Sequence, residues 1–456
     1  QSSLERRLGL GSDDRRLYRA FVAFLLAGDW EAFFEAYPAL ARLCGQSLEQ
    51  WIDFSIELLS RLEEDRGALE RRFMAEDQLG PAVEIRPLGA DRHNFGRFVV
   101  EIRFESGKRL VYKPRTVGIE NRFHELVGWL GDRGVMPSIR TPDILVRDGY
   151  GWVEFVEPQS CADEDAVKRY YNRAGALLAV VYALEGIDCH MENLIAHGEH
   201  PVLIDVETLP YPRPHTSIRK TDAGDPLSVL HTHLLPMPTV ESKPDQSGIS
   251  GRPGISEAYR WQDVNTDAMA LRAHEAPTRL LENLPTKRGE PLSASRHVAE
   301  VSSGFEGAYR GIVRHRTALQ RSEAWRGLGE ERVRFLPRAT RLYHDLLLNA
   351  LHPKRLVSGA ERSIEFEVLS RGFVEDPDLW RFWPMARAEM TALHRMDIPY
   401  VTAATDGHDL LFDDGTRLPD FFAESGMERA EKSLSRMGSS DLEEQLKQIR
   451  DSLAPL

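Results

Sequence analysis

Cysteine is nearly absent. The 456 residues contain three, Cys44, Cys161 and Cys189, far apart and with no CxxC pair. That excludes a disulfide framework and a Cys-rich zinc module, and it suits a reducing compartment. Positive charge is in deficit: 58 Lys and Arg stand against 71 Asp and Glu, a net charge of −13. A chain built mainly to hold nucleic acid or an anionic membrane would carry the opposite balance, although a local basic pocket for phosphate is still open to it. No apolar run approaches the ~18 residues of a membrane span, and no signal-peptide pattern opens the chain. It starts at Gln1 rather than Met, which reads as a piece of a longer protein. What is present is an ordinary globular balance, 42% hydrophobic and 28% charged, in a chain long enough to bury several cores.

Residues 1–80 read as helical. Leu17, Phe21, Phe24 and Leu25 recur at helical spacing, as do Ile56, Leu59, Leu62, Leu69 and Phe73. This is a packing layer with no chemistry of its own. From about residue 83 the period becomes that of strands. Phe98, Val100, Ile102 and Phe104 alternate with Val99, Glu101 and Arg103; Glu105-Ser106-Gly107-Lys108 makes a turn; Arg109–Lys113 returns until Pro114 stops it. Asn121–Leu130 reads as a helix, and 144–146 with 152–157 as a second hairpin. Glu164–Leu184 is a long helix whose buried stripe includes Val167, Tyr171, Ala174, Leu178 and Val181. A polar loop at 186–193 leads to two short strands, 194–196 and 202–205. Residues 210–262 hold an excess of Pro, Gly and Ser without a steady period and read as a long surface segment or lid. From 264 onward the chain is mainly helical. The expected division is therefore 1–80, 81–158 and 159–456.

Three pieces carry chemistry when read together. Lys113 lies on the return strand of a hairpin. Alone, such a lysine is more often a snorkelling surface side chain. Asp188-x-His190-x-x-Asn193 follows a buried helix, and Asp205-x-Glu207 ends a strand that returns by a tight turn. A carboxylate at 188 can orient a hydroxyl and accept its proton. The hairpin brings Asp205 back beside Asn193, so the two can share a hard cation that bridges phosphates, while a strand lysine holds those phosphates. Each motif alone reads as a capped turn; all three in this order are the parts of phosphoryl transfer. The order is that of protein-kinase-like enzymes, with two departures. No GxGxxG precedes Lys113, where Gly89 to Gly96 includes Asp91 and His93 instead, and Asp205-Val206-Glu207 replaces Asp-Phe-Gly. His231-Thr232-His233 invites a metal reading, but without a third ligand it reads as two hydrogen-bonded histidines.

Asp91-Arg92-His93-Asn94, Leu110-Val111-Tyr112-Lys113-Pro114-Arg115, Asp188 through Ala196, and Pro201 through Leu209 resemble the dehydratase domain of class II lanthipeptide synthetases, the LanM family. So do Ser228-Val229-Leu230, Leu234-Leu235-Pro236, Arg334-Phe335-Leu336-Pro337-Arg338-Ala339-Thr340, and Asp397-Ile398-Pro399-Tyr400. The resemblance covers about residues 80 to 410; Arg92 and Phe95 stand where the family pattern has smaller residues.

The resemblance implies an α+β, kinase-like bilobal core, with a small β-rich N-lobe, a mainly helical C-lobe and additional helical elements. It implies a bacterial cytoplasmic enzyme that phosphorylates Ser and Thr of a precursor peptide (a leader plus a Ser/Thr/Cys-rich core) with ATP and Mg²⁺. The same site then eliminates phosphate to leave dehydroalanine or dehydrobutyrine. By resemblance Lys113 holds ATP phosphates, Asp188 is nearest to an acceptor-activating base, His190 belongs to the same loop, and Asn193 and Asp205 bind the metal. Glu207 supports the metal site or the lysine. Asp91, His93, Arg334 and Thr340 handle the phosphorylated residue, with His93 as a proton donor to the leaving phosphate and Arg332 or Arg338 as alternative phosphate holders. The family normally continues into a zinc cyclase; with no cysteine after Cys189, this stretch carries no such zinc site. The same parts also fit a small-molecule kinase of the aminoglycoside or lipid type, or a peptide-binding pseudokinase scaffold.

Overall fold

The structure is a computed structural model. It describes residues 15–454 except 76, 90, 216–227, 238–244, 251–254, 278–281 and 376. The first helices, α1 (Arg16–Leu26), α2 (Trp30–Ala36) and α3 (Pro38–Phe73), precede a five-stranded antiparallel sheet of β1 (Ala82–Pro87), β2 (Val100–Phe104), β3 (Arg109–Lys113), β4 (Ile144–Arg147) and β5 (Tyr150–Glu154). The strand order is β1-β2-β3-β5-β4, and α4 (Gly118–Asp132) follows β3.

Strand alternation decides what each face does. Val100, Ile102, Phe104, Leu110, Tyr112 and Trp152 are 0–1% exposed and pack against Phe54, Leu58, Leu62, Leu69 and Phe73 of α3. At roughly 1.5–3 kcal/mol per fully buried large apolar side chain, this layer is a major stabilising term. A polar nail sits within it. The buried Asp65 carboxylate accepts from Arg147 Nε at 2.6 Å, Tyr150 Oη at 2.9 Å and Trp152 Nε1 at 2.7 Å, tying α3 to β4 and β5. The opposite face, with Val99, Val111, Lys113 and Val153, is the roof of a cleft.

The helical packing layer expected over 1–80 is real, but the apolar stripes are mis-phased. Leu17, Phe21, Phe24, Ile56 and Leu59 are exposed. In α3 the face that meets the sheet keeps Leu62, Leu69 and Phe73 of the expected stripe, with Phe54 and Leu58 in place of Ile56 and Leu59.

Beneath the cleft runs α5 (Glu164–Ala183), capped by Asp163, which accepts from the Ala166 N–H at 2.7 Å. From Ala174 to Ala183 every residue is buried. It crosses α6 (Val298–Arg321) at two glycines: a Cβ on Gly175 would lie 2.0 Å from Val301 O, and one on Gly304 1.8 Å from Asn172 O. Past α5, the hairpin of β6 (Leu194–His197) and β7 (His200–Leu203) returns the chain to the cleft.

One expectation needs correction. The 210–262 segment is not simply a surface lid: among its described residues Val229, Leu234, Leu235 and Ile249 are fully buried, while 216–227, 238–244 and 251–254 lie outside the described residues. From 264 onward the chain is mainly helical, as expected, with short strands set among the helices. A hairpin of β8 (Ile255–Gln262) and β9 (Ala270–Pro277) carries Asp267 in its turn, where the carboxylate accepts from the Leu17 and Tyr18 N–H groups of α1. A four-stranded sheet joins β10 (Arg332–Arg334), β11 (Val401–Ala404), β12 (Leu410–Phe412) and β13 (Arg417–Leu418). Helix α7 (Thr340–Ala350) lies between β10 and β11 in sequence. Among the described residues no helix is long and apolar enough to cross a membrane.

Candidate active site

One cleft of about 2060 Å³ is lined by Asp91, His93, Lys113, Asp188, His190, Asn193, Asp205, Glu207, Arg334 and Thr340, the residues given site roles by the resemblance; of the other candidates His233 and Arg338 also line it, and His231 and Arg332 do not. Lys113 ends β3 and is 5% exposed. Its ammonium donates to Ile204 O at 2.8 Å and to Glu120 Oε1 at 3.3 Å, and it lies 3.6 Å from Asp205 Oδ2. Glu120 stands in the first turn of α4.

Pro114 ends the strand, and Arg115 beyond it lines the same cleft. Its guanidinium reaches three carboxylates: both Asp205 oxygens at 3.0 Å, Glu120 Oε1 at 2.7 Å, and Glu207 Oε2 at 3.0 Å. The last contact is an ion pair without hydrogen-bond alignment. Burial raises the Asp205 carboxyl, but Arg115 and Lys113 override it and hold the group well below the usual carboxylate range. Glu207 passes the network on, its Oε1 accepting from Arg334 Nη1 at 2.6 Å. Lys113, Arg115 and Arg334 therefore form one connected network with Glu120, Asp205 and Glu207.

Asp188 sits in the loop after α5 at φ +66°, a backbone state that costs a non-glycine residue of order 1–2 kcal/mol. Burial raises its carboxyl to about 6, against the pull of His190 and Arg334; His190 Nε2 lies 3.8 Å from Asp188 Oδ1. Asn193 donates its amide N–H to Asp188 O at 2.7 Å, leaving its side-chain oxygen without a hydrogen bond among the described residues.

The 91–97 loop forms the other wall. Asn94, Phe95 and Gly96 all take positive φ. The turn is held by Asp397, whose carboxylate accepts from Phe95 N–H at 2.9 Å and Gly96 N–H at 3.0 Å. The bulky residues at 92 and 95 are accommodated: Arg92 hydrogen-bonds Gln50, and the Phe95 ring lies under Arg395 at 4.1 Å. Ile398 N–H donates to Arg92 O at 2.7 Å, and His93 Nδ1 bonds Ile398 O at 2.8 Å.

That last bond corrects the expected role of His93. A carbonyl oxygen only accepts, so Nδ1 carries the hydrogen and Nε2 is an acceptor. Burial, reinforced by Arg334, lowers the ring to about 4. It is neutral at ordinary pH and is therefore a hydrogen-bond acceptor or base, with no proton to give a leaving phosphate.

Asp91 pairs with His344 of α7 at 2.8 Å. Each shifts the other mainly through this hydrogen bond: Asp91 is lowered and His344 raised. Since the folded His344 value exceeds its ordinary ~6.5, the pair's stabilisation is whole below about pH 6.5 and is lost as pH rises through the folded value. Both groups are half-exposed, so the expected gain is below about 1 kcal/mol. The thermal midpoint of His344→Gln should lie below wild type at about pH 6 and meet it by about pH 9. A gap that ignores pH would refute the pairing.

Arg334, on β10, has Nε and Nη2 buried without a hydrogen-bond partner. Thr340 opens α7, where Ala339 provides no side-chain cap; Leu342 N–H is taken by Ala339 O at 3.0 Å, which leaves the first-turn N–H groups of Thr340 and Arg341, both lining the cleft. A helix N-terminus beside an arginine with two free donors is a site for an anion such as phosphate. The alternatives fall away: Arg332 is exposed and bonds Thr402 Oγ1, and Arg338 is committed to the buried Glu389 at 2.9 Å. Among the described residues no group of three or more His, Cys, Asp or Glu could hold a metal alone.

Arg115, His344 and Tyr400, which line the cleft, and the buried Glu120 behind Lys113 were not assigned from sequence. Arg115 and Tyr400 stand inside quoted motifs. Glu120 and His344 carry no linear signal; an acidic first turn just after the strand lysine is the most that could have pointed to Glu120.

The family model for a domain of unknown function, DUF4135, matches residues 37–404. The chain is also 24% identical, over 455 residues, to the lacticin 481/lactococcin biosynthesis protein LcnDR2 of Lactococcus lactis subsp. lactis. That alignment covers 93% of this chain and 47% of the relative, so the chain spans about half the length of the curated protein it matches. The kinship read from the motifs is thereby borne out, and the chain belongs to the DUF4135 family.

Proposed function

We propose that this chain is a lanthipeptide dehydratase with a kinase-like core, which phosphorylates Ser or Thr of a precursor peptide and then eliminates the phosphate. The observation that carries this reading is the continuity of the charge network. Lys113, Arg115 and Asp205 form a nucleotide-handling half, and Glu207 joins it to Arg334 and the open end of α7.

Asn193 and Asp205 fit a magnesium ion arriving with nucleotide phosphates. One offers an unengaged amide oxygen and the other a carboxylate held anionic, and phosphates and water would complete the shell. When bound, such an ion neutralises phosphate charge. The chain's own residues do the rest. Lys113 holds the phosphates. Asp188 orients the acceptor hydroxyl and takes its proton, a base whose raised value suits that task. Arg334 and the first turn of α7 then hold the new phosphoester while it is eliminated.

The test is a mass measurement on a Ser/Thr-rich precursor peptide incubated with ATP and Mg²⁺. Wild type should remove one water per modified residue. Arg334→Ala and Thr340→Ala should leave phosphopeptide standing, with Arg334→Ala slowing elimination by about 10²-fold. Normal dehydration by both variants would end the elimination assignment. A stable phosphorylated small molecule without any dehydrated peptide would favour a small-molecule kinase, and nucleotide binding without turnover a scaffold.

A further inference from the structure

The Asp397-Ile398-Pro399-Tyr400 run does two things, of which the holding of the 91–97 loop accounts for Asp397 and Ile398. Tyr400 comes next and enters β11. The pairing of Arg334 with Thr402 and the 2.8 Å bond from Phe335 N–H to Val401 O fix it beside Arg334. Its ring lies 5.6 Å from that of His93 and 5.3 Å from the Arg334 guanidinium. Tyr400 is 9% exposed and lines the cleft. Its hydroxyl has no hydrogen-bond partner among the described residues. The phenol thus faces the cleft between an arginine with free donors and a neutral histidine, placed to meet a ligand.

Resting on the proposed dehydratase reading, we propose that Tyr400 is a catalytic residue of the elimination step, its hydroxyl bonding the ester oxygen of the phosphorylated side chain and giving it a proton as the Cβ–O bond breaks. The Cα proton passes to an acceptor in the cleft, of which the His93 Nε2 is one. The Cα–H electron pair becomes the Cα=Cβ double bond, and the Cβ–O pair leaves with the phosphate. The phenolic proton moves to that oxygen, so the product departs as hydrogen phosphate rather than as the strongly basic trianion. Arg334 and Arg115 hold the phenolate until solvent reprotonates it. No oxidant or further reactant is needed. Burial, with Glu207 next, raises the phenol above its ordinary value, so before the reaction it carries its proton at neutral pH.

Tyr400→Phe removes only the hydroxyl. Wild type and variant are compared in two assays: phosphorylation of an unmodified peptide with ATP, and phosphate loss from a synthetic phosphoserine peptide. Phosphorylation should stay within about twofold, while elimination slows by tenfold or more and phosphopeptide accumulates. An S-phosphocysteine peptide, whose thiophosphate leaving group is less basic and needs little protonation, should narrow the gap. Equal phosphoserine elimination by both proteins overturns the proposal. So does an equal fall in both assays, which would mark a packing role, or an undiminished gap on S-phosphocysteine. If wild type itself performs neither reaction, the dehydratase reading fails first, which is a different result from an active wild type matched by Tyr400→Phe.

Discussion

Lys113→Ala should abolish phosphoryl transfer to the peptide, by about 10³-fold or more, while the chain stays folded. The magnitude follows from what the ammonium does: with little covalent chemistry for the protein to perform, positioning and charge neutralisation supply nearly all the catalysis. Survival of the fold follows from the network. Without Lys113, Glu120 still has Arg115 at 2.7 Å and Asp205 still has it at 3.0 Å, so neither buried carboxylate is stranded. Phosphate incorporation into peptide and the denaturation midpoint, measured on the same preparation, check both halves. A variant that phosphorylates within tenfold of wild type would remove Lys113 from the reaction.

Arg115→Ala should have the opposite profile, a collapse of stability by about 3–5 kcal/mol, as expected when one partner of a buried ionic cluster is removed. Arg115 touches all three carboxylates, and only Lys113 and Arg334 would remain to balance them. Denaturant titration would read the loss. The acid limb adds a second signature. In wild type the Asp205 value lies below its unfolded one, so its contribution is present above about pH 4 and is lost as pH falls through the folded value. Without Arg115 that depression shrinks and the acid dependence should flatten. Pairing Arg115→Met with Glu207→Gln should recover part of the stability, because removing charge from both sides costs less than stranding one. A loss below about 1 kcal/mol for Arg115→Ala would mean that the cluster is solvated.

The 188–193 loop and the Lys113 strand were legible because each is a contiguous stretch bounded by a turn, and the hairpin at 105–108 sets the register of the strand. The helix from Glu164 announced itself through its apolar stripe and an aspartate cap. Other features had no linear trace. Strands β10 and β11 are three and four residues long and distant in the chain, too short to show a period. Helix α3 carries apolar residues on two faces, so periodicity alone did not say which one meets the sheet. Asp65 looks like a solvated charge until three donors from β4 and β5 close on it. Arg115 was visible as a residue; its role depends on three carboxylates contributed by separate elements.

The attachment of residues 397 and 398 to the 91–97 loop bears on traffic through the site. The sheet reaches the helical part by the chain after β5, and on another wall this loop is fastened by Asp397, Ile398 and the Asp91–His344 pair. A vessel hinged on one wall and latched on another does not gape. On the proposed dehydratase reading, such confinement would turn two successive reactions into one visit, the intermediate meeting its second set of groups at an effective concentration that free diffusion would not provide.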